Sequence, residues 1–392
     1  MDYASSAEPN PSSIHEAGSE AKKKLKKARK ITAGILGARE EEIIFTSGGT
    51  ESNNLAVQGA VLAFSKKMPH IVTTNIEHPS VLETADMLKK RKLAEVSVVP
   101  AEADGRIDPK KVKKAIKKNT VLVSVMYANN EIGTVEPIRE IAKEIRHWRK
   151  REKSLLPYFH TDAVQAANYL DLNVERLGVD MMTVSGAKIS GAGRIGVLFK
   201  RKSTPLSPVF GGGGQEHGLR PGTENLFEIS KFAKALESAR GRSKKEAKRI
   251  AGLRDYFLRG IAKSAKDILG KDVIVNGSIE NRLPNNLNVT FPNMPSDLMV
   301  IELSERGVMV SEKSACKSGD KKASHVIRAI RKAEGNPPLV KRGGGLPSAH
   351  TAGAANMGSL RFSFGPGVKK GEVDYAFKAV SEVLKKLKKW YN

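Results

Sequence analysis

Thiols are nearly absent from this chain. Of 392 residues only Cys316 is a cysteine. One cysteine closes no internal disulfide, so a reducing compartment is expected. Aromatic residues make up only 5% of the chain, too few to build stacking platforms for single strands of nucleic acid. No apolar run approaches the ~18 residues of a membrane-spanning helix. The opening Met1-Asp2-Tyr3-Ala4 lacks the apolar core of a secretory signal. A cytoplasmic protein without membrane contact is the expectation. Acidic residues are also in deficit, 42 against 67 basic ones, for a net charge of +25. Such an excess attracts polyanions, but it is spread along the chain, with local runs at 22–30 and 385–389. The first run lies in 19–36, where Leu25, Ala28, Ile31 and Ile35 recur at helical spacing. It reads as a helix with a solvated basic face, and direct nucleic-acid recognition is not expected.

What is present is an alternation of short apolar runs and helical patterns. Strands are expected at 42–45, 71–74, 95–99, 121–126, 158–161, 181–184 and 195–199. Helices are expected at 53–65, 80–90, 109–116 and 138–148. This is the α/β pattern of a mostly parallel seven-stranded sheet covered by helices. A long helical stretch follows at 224–265. The pattern then becomes α+β, with strands near 273–275, 286–291 and 360–364 and helices at 297–305 and 372–389. Two domains are expected: a large one over 10–240, and a smaller one formed by 1–9 and 241–392. The run 335–358, rich in Pro, Gly and Ala, reads as a flexible insertion. No internal repeat and no metal site is expected.

Several segments carry candidate chemistry. Cys316 is flanked by Ser, Lys, Gly and Asp, as in a polar loop; Lys313, Lys317, Lys321 and Lys322 would favour its thiolate. An inert small side chain is the alternative. Thr46-Ser47-Gly48-Gly49-Thr50-Glu51 lies between a strand and a helix. There Thr50 could cap the helix, and free amides would suit a phosphate; an ordinary capped turn competes. Ser185-Gly186-Ala187-Lys188 ends an apolar strand, where desolvation could help keep a Schiff-base amine neutral; a surface lysine competes. His160-Thr161-Asp162-Ala163-Val164-Gln165 closes another strand, and Asp162 could hold a cationic ring nitrogen or cap a helix. His78, in Glu77-His78-Pro79, is either catalytic or structural. Gly211–Gly214 lead into Leu219-Arg220-Pro221-Gly222-Thr223, again suited to an anion. Arg361, in the alternating Leu360-Arg361-Phe362-Ser363-Phe364, needs a partner: a substrate carboxylate or a structural ion pair.

In this order, the motifs TSGGTESNN, IEHPSVLET, ANNEIGTVEPI, HTDAVQ, SGAKISGAGRIG, LRPGTEN, SAC and RFSFG resemble the pyridoxal-phosphate (PLP) cysteine desulfurases of the class V aminotransferase group, fold type I. The spacing from Cys316 to Ser324-His325 resembles the long-loop members. The resemblance implies that Lys188 holds PLP covalently and Asp162 pairs with its ring nitrogen. Gln165 would bond the ring oxygen, and His78 would stack on the ring and shuttle protons. Gly49, Thr50 and Ser185 would hold the phosphate, and Thr223 would reach the phosphate of the second subunit of a homodimer. Asn130 would bond substrate or ring oxygen, and Arg361 would clamp the carboxylate of L-cysteine. Cys316 would take the sulfur as a persulfide, releasing alanine, and pass it to an acceptor protein for iron–sulfur assembly or tRNA thiolation. Rival readings on the same scaffold are a selenocysteine lyase, an aminotransferase or a non-catalytic basic scaffold. The chain departs from the family pattern at Ala187, where His is usual, at Lys313 and His217, in a shorter N-terminal segment, in the extra 335–358 stretch and in the lack of a longer tail after Asn392.

Overall fold

The computed structural model describes residues 9–65, 68–312, 324–334 and 358–391. Cys316, Lys313 and the expected insertion up to residue 357 lie outside the described residues, as do residues 1–8. The chain divides into two compact units: Met1–Val99, Asp108–Ala128 and Glu136–Ser243 form the first, and Pro100–Ile107, Asn129–Val135 and Lys244–Asn392 the second. The segments 100–107 and 129–135, which the sequence reading put in the large domain, thus cluster with the second unit.

The first unit is built on a seven-stranded sheet of β1 (Ile43–Thr46), β2 (His70–Thr74), β3 (Glu95–Val99), β4 (Thr120–Ser124), β5 (Tyr158–Asp162), β6 (Met181–Ser185) and β7 (Gly196–Lys200). Its order is β1-β7-β6-β5-β4-β2-β3. β3, β2, β4, β5 and β6 are mutually parallel, while β7 runs against β6 and β1 against β7. Every residue of β2, β4, β5 and β6 is buried. This is the signature of a parallel sheet covered on both faces, and it explains their continuous apolar and β-branched runs.

The covering helices follow from local chemistry. α1 (Glu16–Leu36) buries Ala21, Leu25 and Ala28 and turns its lysines outward. α2 (Gly49–Ala63) packs Leu55, Ala56, Val57, Ala60 and Val61 into the core. α3 (Pro79–Lys90) and α4 (Pro109–Ala115) each begin with proline, whose missing N–H costs nothing there. Asp108 caps α4 by accepting the Lys110 amide at 2.8 Å. α5 (Ile138–Glu152) buries Ile138, Ile141, Ala142, Ile145 and Trp148 at helical spacing. The short α6 covers Val174–Leu177.

On its open side, β1 is met by side chains. Phe45 donates its amide to Glu216 Oε2 at 2.9 Å, and the Ile43 carbonyl accepts from Arg29. Arg29 and Glu216 are themselves an ion pair at 2.6 Å. Glu216 reaches this place from a left-handed backbone conformation, φ 47° and ψ 47°.

The boundary between the units falls inside α7 (Leu226–Leu269). The second unit carries the antiparallel sheet β10-β9-β8, made of β8 (Ile274–Val275), β9 (Asn286–Thr290) and β10 (Leu360–Ser363). Phe257 stacks against Phe362 and Phe364 at 4.8 and 5.8 Å. α8 (Ser296–Glu305) and a long helix, Lys370–Tyr391, complete the pattern read from sequence. A further helix, α9 (His325–Ala333), was not expected. It is short, but Val326, Ile327 and Ile330 form a buried stripe, and Ser324 caps it by accepting the Val326 and Ile327 amides. No helix of the described residues is long and apolar enough to cross a membrane.

Candidate active site

Four candidate loops leave one edge of the large sheet. β2, β5 and β6 are parallel, and two successive antiparallel steps make β1 point the same way as β6. Residues 47–50, 75–78, 162–165 and 185–188 therefore all emerge at the carboxyl edge, where sheets of this kind bind ligands.

Asp162 ends β5 in a buried position. Its Oδ1 accepts the Val164 amide at 3.0 Å, and its Oδ2 accepts Asn53 Nδ2 at 2.7 Å. Gln165, in the same turn, is half-buried. Gly49 opens α2 beside this turn. A Cβ there would stand 2.9 Å from Val164 Cγ2 and 3.4 Å from Ser185 Cβ. Glycine thus lets the helix start approach both Ser185 and the Asp162 turn. The N-cap is Gly48, with no side-chain bond to the first-turn amides. The expected Thr50 cap is corrected: Thr50 lies inside the first turn and is exposed.

The 219–223 loop is fastened to the same helix start. Arg220 Nε donates to Glu51 Oε1 at 2.9 Å, while Glu51 Oε2 accepts the Ser47 amide at 2.8 Å and the Ser47 hydroxyl. Thr223 follows on this loop, exposed. The four glycines before it lead into a 3-10 turn, Gln215–Gly218, rather than directly into α7.

His78 caps α3: its Nδ1 accepts the Ser80 amide at 3.1 Å and lies 2.8 Å from Ser80 Oγ. Ser80 Oγ in turn accepts Asn53 Nδ2 at 2.8 Å. His78 and Asp162 are therefore joined through Ser80 and Asn53. Beside them Glu77 is fully buried; burial pushes its carboxyl up to about 8, with the negative charge of Asp162 adding to the effect. The Thr74 hydroxyl at 2.7 Å and the Met126 amide at 2.9 Å oppose that shift by donating to Oε1. His160 is structural. It bonds Ser124 and Thr183 at 2.9 and 3.0 Å, and burial lowers it to about 3.

Lys188 sits in a 3-10 turn, Gly186–Lys188, whose carbonyl end is held by Asn168 Nδ2 at 2.6 Å. The expectation of a desolvated lysine is corrected. β6 is buried, but Ala187 and Lys188 lie past its end and are exposed. A close-packed backbone holds this turn: a Cβ on Gly186 would meet the Gly193 carbonyl at 2.8 Å.

Asn130 and Arg361 come together in the second unit. Arg361 Nη1 donates to the Asn130 carbonyl at 2.8 Å, and Nη2 donates to Ser311 Oγ at 3.3 Å. Its Nε has no hydrogen-bond partner among the described residues. Burial lowers the Arg361 guanidinium from its usual value, and the charge of Glu131 opposes this. The competing reading, a structural ion pair, is not met among the described residues: the acceptors, the Asn130 carbonyl and the Ser311 hydroxyl, are neutral. Asn129 shapes the loop by accepting the Glu131 and Ile132 amides at 2.8 and 3.0 Å. The Glu131 carbonyl accepts Asn288 Nδ2 at 3.1 Å, and its carboxylate accepts the Ser324 hydroxyl. The segment bearing Cys316 is thus flanked on one side by Ser311, paired with Arg361, and on the other by Ser324, bonded to Glu131.

Asn53, Ser80 and Glu77 were given no role in the sequence reading. A usable signal existed: Ser52 and Asn53 are polar residues on the helical face that also carries Ala56, Val57 and Ala60.

A family model described as Aminotransferase class-V matches residues 1–376. The chain is 40% identical over 379 residues to the cysteine desulfurase IscS of Dictyoglomus turgidum, covering 97% of this chain and 88% of that one. It is 37% identical to the cysteine desulfurase IscS of Methanosarcina thermophila, covering 97% and 86%. Among solved structures, a NifS-like protein superposes with a TM-score of 0.82 at 32% identity, covering 96% and 92%. A structure titled SspA in complex with cysteine gives 0.69 at 32% identity, covering 91% of each chain.

Proposed function

Since the chain belongs to the aminotransferase class-V family, we propose that it is a cysteine desulfurase that uses pyridoxal phosphate, taking sulfur from L-cysteine to leave L-alanine. The observation that carries this reading is the convergence of Asp162, the Gly49–Ser185 cradle, His78 and Lys188 at one carboxyl edge. Those residues fit the cofactor chemically. Asp162 offers a carboxylate to the ring nitrogen, and Gln165 an amide to the ring oxygen. Gly49, Thr50 and Ser185 offer amides and hydroxyls to the phosphate at an uncapped helix start. Ala187 leaves that phosphate without the imidazole usual at this place. When bound, the cofactor supplies an electron sink for the substrate α-carbon.

The residues of the chain do the rest. Arg361 presents a fork, with Nε to spare, to the substrate carboxylate. Asn130 lies beside it. Lys188 Nζ would move the proton of the substrate α-carbon, and the His78 ring, once the cofactor is bound, would stack on it and exchange protons. Cys316, as thiolate, attacks the substrate sulfur. An S–S bond forms and the C–S bond breaks, and the carbon that loses sulfur takes up a proton. The balance is thiol plus cysteine giving persulfide plus alanine. The persulfide then passes to an acceptor protein, an iron–sulfur scaffold or a tRNA-thiolating enzyme. The working form is a cytoplasmic homodimer in which the exposed Thr223 of each chain reaches the other's phosphate site.

Visible absorbance and product analysis test this. Protein loaded with pyridoxal phosphate should be yellow, and Lys188→Ala should lose the colour. Cys316→Ser should keep the colour but form no persulfide. Undiminished alanine release from Cys316→Ser would point to a lyase that does not need this thiol. A protein that takes up no cofactor would return the reading to a scaffold.

A further inference from the structure

The hydrogen bonds between Asp162 and His78 have a direction that the roles given above do not use. Asn53 is 1% exposed, Asp162 5% and Ser80 8%, so solvent does not compete for these bonds. Asn53 Nδ2 has two protons and two acceptors, Asp162 Oδ2 at 2.7 Å and Ser80 Oγ at 2.8 Å. The opposite orientation of the amide would set Asn53 Oδ1 against a carboxylate oxygen, acceptor facing acceptor. In the observed orientation Oδ1 is buried with no hydrogen-bond partner among the described residues. The fold thus leaves one acceptor unsatisfied and keeps both N–H groups on Asp162 and Ser80.

The consequence passes down the chain of bonds. Ser80 Oγ accepts a hydrogen bond from Asn53, which leaves its own proton to point at His78 Nδ1, 2.8 Å away. The Ser80 amide already donates to the same nitrogen at 3.1 Å. Two donors converge on Nδ1, which must therefore be the bare nitrogen of a neutral ring.

We propose that Asn53 and Ser80 are positioning residues that hold His78 as the neutral tautomer with its proton on Nε2, while keeping Asp162 an acceptor. This deepens the functional reading and rests on it only for the use made of the proton. A ring so held can give its Nε2 proton, but it cannot take one at Nδ1 without losing the Ser80 amide bond and reversing the Ser80 hydroxyl bond.

The test uses the full-length protein without cofactor, its histidines labelled with nitrogen-15 and His78 assigned by loss of its signals in His78→Gln. Long-range proton–nitrogen correlation reads each ring nitrogen directly. In the unsubstituted protein Nδ1 should show the shift of a bare nitrogen and Nε2 that of a protonated one. Ser80→Ala keeps the backbone donor but removes the hydroxyl, and Asn53→Leu removes the donor amide at similar volume. In each the two shifts should move toward their average as both tautomers become populated. The cofactor-loaded variants should lose kcat by about tenfold or more with little change in KM for cysteine. Rescue by Ser80→Thr, which restores a hydroxyl, separates positioning from mere packing.

A protonated Nδ1 in the unsubstituted protein overturns the proposal. So do unchanged shifts in Ser80→Ala, which alters one oxygen and is the safer variant if Asn53→Leu fails to fold. Failure of the unsubstituted protein to bind the cofactor would overturn the functional reading instead and leave the tautomer result standing.

Discussion

Glu77 carries a carboxyl far from its ordinary state. Its carboxyl is raised by burial to about 8, against 4.5 when exposed. The folded state thus holds a proton that the unfolded chain releases. The stability this gives is complete below pH 4.5 and is lost as pH rises through 8. Glu77→Gln keeps the size and stays neutral, so denaturant titrations from pH 5 to 9 should show it gaining on the parent by a few kcal/mol at the alkaline end. His160 works the other way. Burial lowers it to about 3 from 6.5, so its contribution is complete above pH 6.5 and lost as pH falls toward 3. The same titrations carried down to pH 4 should therefore show stability falling below pH 6.5, with His160→Gln flattening that limb. The identity of Lys188 was legible from Ser185-Gly186-Ala187-Lys188, but its exposure was not, because one turn of 3-10 helix carries it beyond the buried strand.

At the scale of elements, the strands and helices of the large sheet were legible because each carries one strong period. β4 and β6 are mostly apolar and β-branched, and α5 repeats its apolar residues at three and four. α9 was not legible, since nine residues give a period too few repeats to stand out. The starts of helices were also misjudged. Thr50 has a capping hydroxyl that glycine lacks, but the close approach of Gly49 to Val164 and Ser185 depends on strands far along the chain. Gly196 shows the same effect at the start of β7: a Cβ there would lie 2.5 Å from the backbone of Gly48. Gly196→Ala should therefore lower stability by about 1–3 kcal/mol, measured by denaturant midpoint. It should also weaken cofactor uptake, since the loop displaced is the one before α2. Gly34→Ala, in the exposed part of α1 with nothing within 4 Å of the added atom, should leave cofactor uptake unchanged and raise stability by about 0.5–1 kcal/mol.

At the scale of the whole molecule, the charge excess decides less than its size suggests. On α1 the lysines are exposed, and the ion pair that one of them forms, Lys23–Glu20, lies at the surface. The sheet has a more specific vulnerability at its margin. β1 is a terminal strand, and such strands template the addition of foreign β-structure unless something occupies their outward groups. Here one ion pair occupies them, Glu216 taking the Phe45 amide and Arg29 the Ile43 carbonyl. Glu216→Ala would strip both at once, because Arg29 would lose the carboxylate that aims it. Light scattering on warming should then show earlier clumping than in the parent, out of proportion to any fall in melting temperature. The unusual backbone at Glu216 is thus a safeguard against the molecule sticking to copies of itself.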